Sequence, residues 1–168
     1  TDSGLHERGK QVLEPEGIWY TAVSGIWQTV WLEPLPDVYI KHLKITPQID
    51  DNRICVVVRA DHNDKGHGYD CEILLMDQGQ VVSKSSSKPG EISYLPLEYP
   101  KLWSPQSPHL YVLQVRLTHQ GQLVDEVRSY TALRKFSLVR DQDGYLRFAL
   151  NNEPLFLYGP LDQGYFPD

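Results

Sequence analysis

An all-β sandwich is the fold class this sequence predicts, on three observations. Apolar and polar residues alternate with period two over many short segments, while helical periodicity is nearly absent. Glycine- and asparagine-centred turn signals separate those segments at about the spacing of a sandwich. And Leu102-Trp103-Ser104-Pro105-Gln106-Ser107-Pro108-His109-Leu110-Tyr111 sets two prolines three residues apart, which forbids helix and gives a stiff, extended connector flanked by aromatics.

Taken in order, 27–33 is a strand candidate with Trp27, Thr29 and Trp31 on one face, ended by Pro34 and Pro36. Segment 42–49 carries Leu43 and Ile45 on one side. In the next strand Ile54, Val56 and Val58 alternate with Cys55, Val57 and Arg59; in the one after it Tyr69, Cys71, Ile73 and Leu75 alternate with Asp70, Glu72, Leu74 and Met76. Segments 80–84 and 91–97 are shorter. The connector delivers the chain into 111–118, and 122–130, 132–139, 145–150 and 155–158 follow. Asp77-Gln78-Gly79-Gln80 and His119-Gln120-Gly121-Gln122 are near-identical hairpin tips; Asp143-Gly144 and Asn151-Asn152 are two more. The serine-rich run 83–90 reads as a solvated loop. Several short strands without intervening helices make a sandwich, and the section 37–139 has the size of an immunoglobulin-like domain, though without the Cys…Trp…Cys spacing of antibody domains.

The 168 residues, 40% hydrophobic and 23% charged, suffice for one core. A net charge of −6 argues against a nucleic-acid partner, which needs a basic face. No apolar run reaches the length of a membrane-spanning helix. No signal peptide opens the chain, and Thr1-Asp2-Ser3-Gly4 without an initiator Met leads to the expectation of a piece of a longer polypeptide; the compartment is not legible. Cys55 and Cys71 fall on successive strands, where a disulfide is geometrically possible and two buried free thiols are the plainer reading.

The polar residues form no catalytic constellation. Glu14 and Glu16 flank Pro15, Asp50 and Asp51 make an acidic turn, Asp141 and Asp143 frame a hairpin, and Asp125 and Glu126, as strand neighbours, point to opposite faces. The densest set of ligand-type residues is Asp61, His62, Asn63, Asp64, His67 and Asp70, in a loop between strands; it matches no ligand spacing, so no metal and no cofactor is expected. Trp19, Trp27, Trp31 and Trp103 suit either sugar stacking or packing, and packing is the preferred reading.

Four segments in order, namely Gly9-Lys10-Gln11, Ser24 through Glu33, the Leu102 to Tyr111 connector, and Asn152-Glu153-Pro154-Leu155-Phe156-Leu157-Tyr158-Gly159, together resemble glycoside hydrolase family 2, which includes β-galactosidases, β-glucuronidases and β-mannosidases. The resemblance implies a jelly-roll sugar-binding domain ending at 1–36, an immunoglobulin-like sandwich at 37–139, and at 140–168 the lead-in to a (β/α)₈ barrel whose first strand is 155–157. It implies a parent enzyme that hydrolyses β-linked glycosides with retention, using two carboxylates, both on barrel strands beyond this chain, so that the segment alone is inactive. Its partners would be the carbohydrate substrate and the jelly-roll and barrel domains of the same polypeptide. Asp162, Gln163 and Tyr165 stand where sugar contacts come in the whole enzyme, although the Asn and the His-Glu pair that many members carry after the Gly159 position are missing from 160–168. Trp27, Trp31, Trp103 and Tyr111 are the expected packing and interface aromatics. The flanks 1–36 and 140–168 would be less ordered than the core or pair with each other. The other class of reading is a free-standing carbohydrate-binding or adhesion module.

Overall fold

The computed structural model describes residues 9–22, 25–26, 28–61 and 68–161. The chain divides into two compact units, Pro34–Leu157 and a smaller one made of Thr1–Glu33 with Tyr158–Asp168. In the smaller unit β1 (Gln11–Val12) pairs in parallel with β2 (Tyr20–Thr21). The strand expected over 27–33 is not formed: Trp27 lies outside the described residues, and 28–33 take no ladder partner. Leu32 and Trp31 are 98% and 74% exposed there. Alternation alone makes no strand, because a strand needs a neighbour for its N–H and C=O groups.

The larger unit is the sandwich. Its strands are β3 (Tyr39–Gln48), β4 (Arg53–Asp61), β5 (Tyr69–Asp77), β6 (Gln80–Ser87), β7 (Ile92–Pro96), β8 (Tyr111–His119) and β9 (Gln122–Thr131). One sheet runs β3-β4-β7 and the other β6-β5-β8-β9, all antiparallel. The chain makes the β3–β4 hairpin in the first sheet and crosses for β5–β6. It returns for β7, then crosses again through the proline connector to β8 and β9, a connectivity of the immunoglobulin-like kind. Among the described residues the only helical element is a single 3₁₀ turn, Ile49–Asp51, closed by Asn52 in the left-handed region.

The predicted inward residues are the core. Ile54, Val56 and Val58 of β4 and Cys71, Ile73 and Leu75 of β5 are fully buried, as are Leu95 of β7, Leu113, Val115 and Leu117 of β8, and Leu133 beyond β9. At about 25 cal/mol per Å² these side chains are the main stabilising element of the unit. Cys55 and Cys71 are both buried and unbonded. Cys71 faces the core, where burial pushes its thiol up to about 11. Cys55 faces outward, its Sγ 3.2 Å from Gln48 Oε1.

The hairpin tips have a shared geometry. Gln78 and Gly79 have φ of 50° and 82°, and Gln120 and Gly121 have 51° and 79°. With Asp77 paired to Gln80 and His119 to Gln122, both are two-residue type I′ turns, whose twist matches that of the strands. The run 83–87 is strand rather than loop: it completes β6, Ser83 through Ser87 pairing with Leu75 through Cys71. It lies at a sheet edge, where one side of the backbone is open and polar side chains are tolerated, so its serines carry no apolar period. The Ser93 hydroxyl lies 2.7 Å from that of Ser87, linking β7 to β6 across the sheets. At the opposite edge the Ile40 N–H donates to Asp125 Oδ2 at 2.7 Å, beside the bulge between Ile40 and His42.

A third, small sheet follows: β10 (Phe136–Arg140), β11 (Leu146–Leu150) and β12 (Glu153–Pro154), all antiparallel. Asn151 and Asn152, at φ 53° and 70°, make another type I′ turn between β11 and β12. Among the described residues the segment 155–157 forms no strand, and the Leu155 N–H donates to Phe148 O at 2.7 Å.

Candidate functional site

Two polar clusters decide what the larger unit presents to its surroundings. The first fixes the proline connector. Tyr111, 1% exposed at the start of β8, accepts the Lys101 N–H on its hydroxyl at 2.7 Å. A tyrosine at this corner bonding back to upstream backbone is a recurring device of such sandwiches. The Lys101 ammonium reaches Asp77 Oδ2 at 2.6 Å, and that contact raises the lysine's pKa. His109 Nε2 approaches Asp77 Oδ1 at 3.3 Å without hydrogen-bond alignment, and its ring meets Tyr111 edge-on at 4.7 Å. Ser104 and Ser107 exchange backbone bonds at 3.0 and 3.1 Å, closing the bend between the prolines.

The second cluster clamps the β10–β11 hairpin to the sandwich through Asn151. Its Nδ2 donates to the Trp103 carbonyl at 2.9 Å, its Oδ1 accepts the Lys135 N–H at 3.0 Å, and its own N–H donates to the Lys135 carbonyl at 2.8 Å. The Trp103 N–H in turn donates to the Leu133 carbonyl at 3.0 Å. Asp50, in the 3₁₀ turn, takes the Lys135 ammonium at 2.6 Å and Asn152 Nδ2 at 2.9 Å; the lysine first and the amide second hold its carboxyl below the usual range. One asparagine thus joins the connector, the β9–β10 link and the end of β11.

The aromatic candidates separate. Tyr111 is a buried corner. Trp103 is half-buried, and the Arg134 guanidinium lies 4.7 Å from its ring centroid, so that face is not a free stacking platform. Trp103, Leu110, Tyr130, Arg134 and Pro47 line a groove of about 340 Å³. Trp31, in the other unit, is exposed. Trp27, Asp162, Gln163 and Tyr165 lie outside the described residues.

Several of the carboxylates sit in ion pairs. Glu72, Arg116 and Glu126 form a row across β5, β8 and β9, with Arg116 3.3 Å from Glu72 and 2.8 Å from Glu126. Arg116 is chiefly what lowers the Glu126 pKa. Asp141 accepts the Asp143 and Tyr145 N–H groups and the Arg147 guanidinium at 2.7 Å, with Arg147 the largest cause of its lowered pKa. Asp61 pairs with Lys41 and Asp70 with Lys88. Residues 62–67 of the ligand-rich loop lie outside the described residues. Among the described residues no three His, Cys, Asp or Glu side chains are placed to hold a metal ion.

The hairpin that Asn151 clamps has one conspicuous face. Register puts Phe136, Leu138, Leu146 and Phe148 on the same side of β10 and β11, and each is 56–63% exposed. That side also carries Arg140 and the buried Leu150, and the opposite side carries Ser137, Val139, the exposed Arg147 and the buried Ala149. Sequence reasoning took 132–139 and 145–150 as two strands and missed both this face and the clamp.

The sequence profile of glycosyl hydrolases family 2 matches residues 38–134, the whole sandwich. A Formosa agariphila protein named as a β-glucuronidase is 31% identical over 143 residues, 81% of this chain and 17% of its own length. A β-galactosidase of Thermoanaerobacter pseudethanolicus is 27% identical over 97% of this chain and 23% of its own length. The chain therefore spans less than a quarter of the length of these relatives. Among solved structures, the β-D-glucuronidase of Dictyoglomus thermophilum superposes with a TM-score of 0.56 at 22% identity, over 74% of this chain and 19% of that one, a likeness of fold. With its whole sandwich inside the matched region, this chain belongs to glycosyl hydrolases family 2.

Proposed function

We propose that this chain is the non-catalytic sandwich segment of a retaining β-glycoside hydrolase, a rigid spacer that holds a preceding sugar-binding jelly roll and a following catalytic barrel in register. The observation that carries this reading is the family match lying on the sandwich in a chain that spans under a quarter of its relatives. Retaining hydrolysis needs two carboxylates about 5–5.5 Å apart, one to attack the anomeric carbon and one to protonate the leaving oxygen. Asp77 and Glu126 of the sandwich and Asp141 of the small sheet are instead paired with Lys101, Arg116 and Arg147, an arrangement suited to holding strands together. In this reading 1–36 ends the jelly roll and 140–168 leads into the barrel. Segment 155–157 is then a parallel barrel strand whose ladder partners come from later strands, and Asp162, Gln163 and Tyr165 face the sugar.

Incubating the purified chain with nitrophenyl β-galactoside and nitrophenyl β-glucuronide tests the proposal. No hydrolysis is expected. Turnover that co-elutes with the chain and scales with its concentration would overturn it.

A further inference from the structure

We infer that the groove beside Trp103 is a binding site on the sandwich for a sugar of the uronate class, a pyranose ring that bears a carboxylate. Arg134 would take the carboxylate and Tyr130 the ring.

The groove holds about 340 Å³, at the small end of ligand sites of roughly 300–1,000 Å³, which limits its occupant to a sugar unit or a short glycoside. Ile45 and Pro47 of β3, Trp103 and Leu110 of the proline connector, and Tyr130 of β9 make its walls. Arg134 is the one charged residue among those that line it.

That charge is unspent. Arg53, Arg116 and Arg147 each meet a carboxylate. Among the described residues Arg134 makes neither a hydrogen bond nor an ion pair. Its guanidinium carbon lies 4.7 Å from the Trp103 ring centroid and 5.3 Å from that of Phe136. Two aromatic rings therefore hold the planar group while leaving its N–H donors for another partner. An uncompensated cation at an apolar groove, in a chain of net charge −6, is placed for an anion.

The surroundings select which anion. A single guanidinium fork matches the two oxygens of a carboxylate, whereas phosphate sites gather several cations or a nest of backbone N–H groups. Tyr130, 70% exposed, offers a ring for the apolar face of a pyranose. Leu110 beside it is 48% exposed, so a bound ring keeps one edge in water. Sugar hydroxyls suit that wet edge, and a wholly apolar ring does not.

A nuclear magnetic resonance titration of the isotope-labelled chain with methyl β-glucuronide tests this, read at the Trp103 indole and Ala132 amide signals. Saturable shifts are expected, with a Kd on the order of 1 mM. Methyl β-glucoside, which lacks the carboxylate, should bind at least about tenfold more weakly, and Arg134→Gln should weaken the glucuronide by a similar factor. Tyr130→Ser should weaken it about threefold or more; because Tyr130 is exposed, this variant keeps the parental melting temperature and separates lost binding from lost folding. Absence of saturation at about ten times the expected Kd would overturn the site. Equal binding of the glucoside would remove Arg134 from it and overturn the inference as well. Benzoate or inorganic phosphate binding as tightly as the glucuronide would contradict the sugar class. None of these outcomes depends on hydrolysis, so the functional reading above stands or falls separately, on the nitrophenyl glycosides.

Discussion

The hydroxyl of Tyr111 accepts the backbone N–H of Lys101 at 2.7 Å, across the ten residues of the proline connector. The ring is buried in the core and the oxygen stops the connector from lifting away. Tyr111→Phe keeps the packing and orphans one N–H. The expected cost is about 1–2 kcal/mol, read as a fall of about 3–8 °C in melting temperature. A variant as stable as the parent would show that the connector is held by its prolines and the Asp77 contacts alone.

Asn151 has two separable jobs, a left-handed backbone at φ 53° and a side chain that bonds Trp103 and Lys135. Asn151→Gly keeps the first and removes the second; Asn151→Ala removes both. Each lost side-chain bond is worth about 1 kcal/mol, and a non-glycine residue forced into the left-handed region adds about 1 kcal/mol more. Chemical denaturation should therefore rank the chains Asn151, then Gly, then Ala. If Gly matched the parent, the clamp would contribute nothing.

The β5–β6 and β8–β9 turns carry glutamine at a left-handed position where Asn-Gly is the favoured pair. Gln78→Asn and Gln120→Asn are expected to stabilise the chain by up to about 0.5 kcal/mol each and additively, since they lie in separate hairpins. Destabilisation by either would mean that its side chain makes a needed contact.

Glu126, Asp50 and Asp141 titrate below their usual 4.5, 3.8 and 3.8 because Arg116, Lys135 and Arg147 favour their charged forms. Depressed folded values stabilise the native state above the unfolded pKa, and that contribution is lost as pH falls through the folded value. Urea midpoints should hold between pH 7 and 5.5 and drop below about pH 4.5. The drop should shrink in 1 M salt, because the pairs are exposed and screened. In Arg116→Gln the share belonging to Glu126 should vanish. A midpoint independent of pH down to 3 would contradict this assignment.

What the sequence revealed follows the range of the interactions. Ile54, Val56, Val58, Cys71, Ile73 and Leu75 were legible because period two is a local consequence of the pleat, and the Gln-Gly tips because left-handed φ is a property of two residues. The Ser85–Ser87 end of β6 was not, since an edge strand needs no apolar period. Segment 28–33 failed in the opposite sense, with alternation and no partner strand among the described residues. The Asn151 clamp was invisible because its partners Trp103 and Lys135 stand 48 and 16 residues away, and the Asp50–Asn152 bond spans 102. Family resemblance supplied what pattern could not, the expectation that the sandwich stands between two other domains.

The most direct measurement uses a 2-deoxy-2-fluoro glycosyl fluoride, which traps the covalent intermediate of a retaining glycosidase on its nucleophile. The longer enzyme is inactivated with the galactosyl or glucuronyl form, digested, and the labelled peptide is located by mass spectrometry. The account predicts a label on a carboxylate outside residues 1–168. A label on any Asp or Glu within them would contradict it.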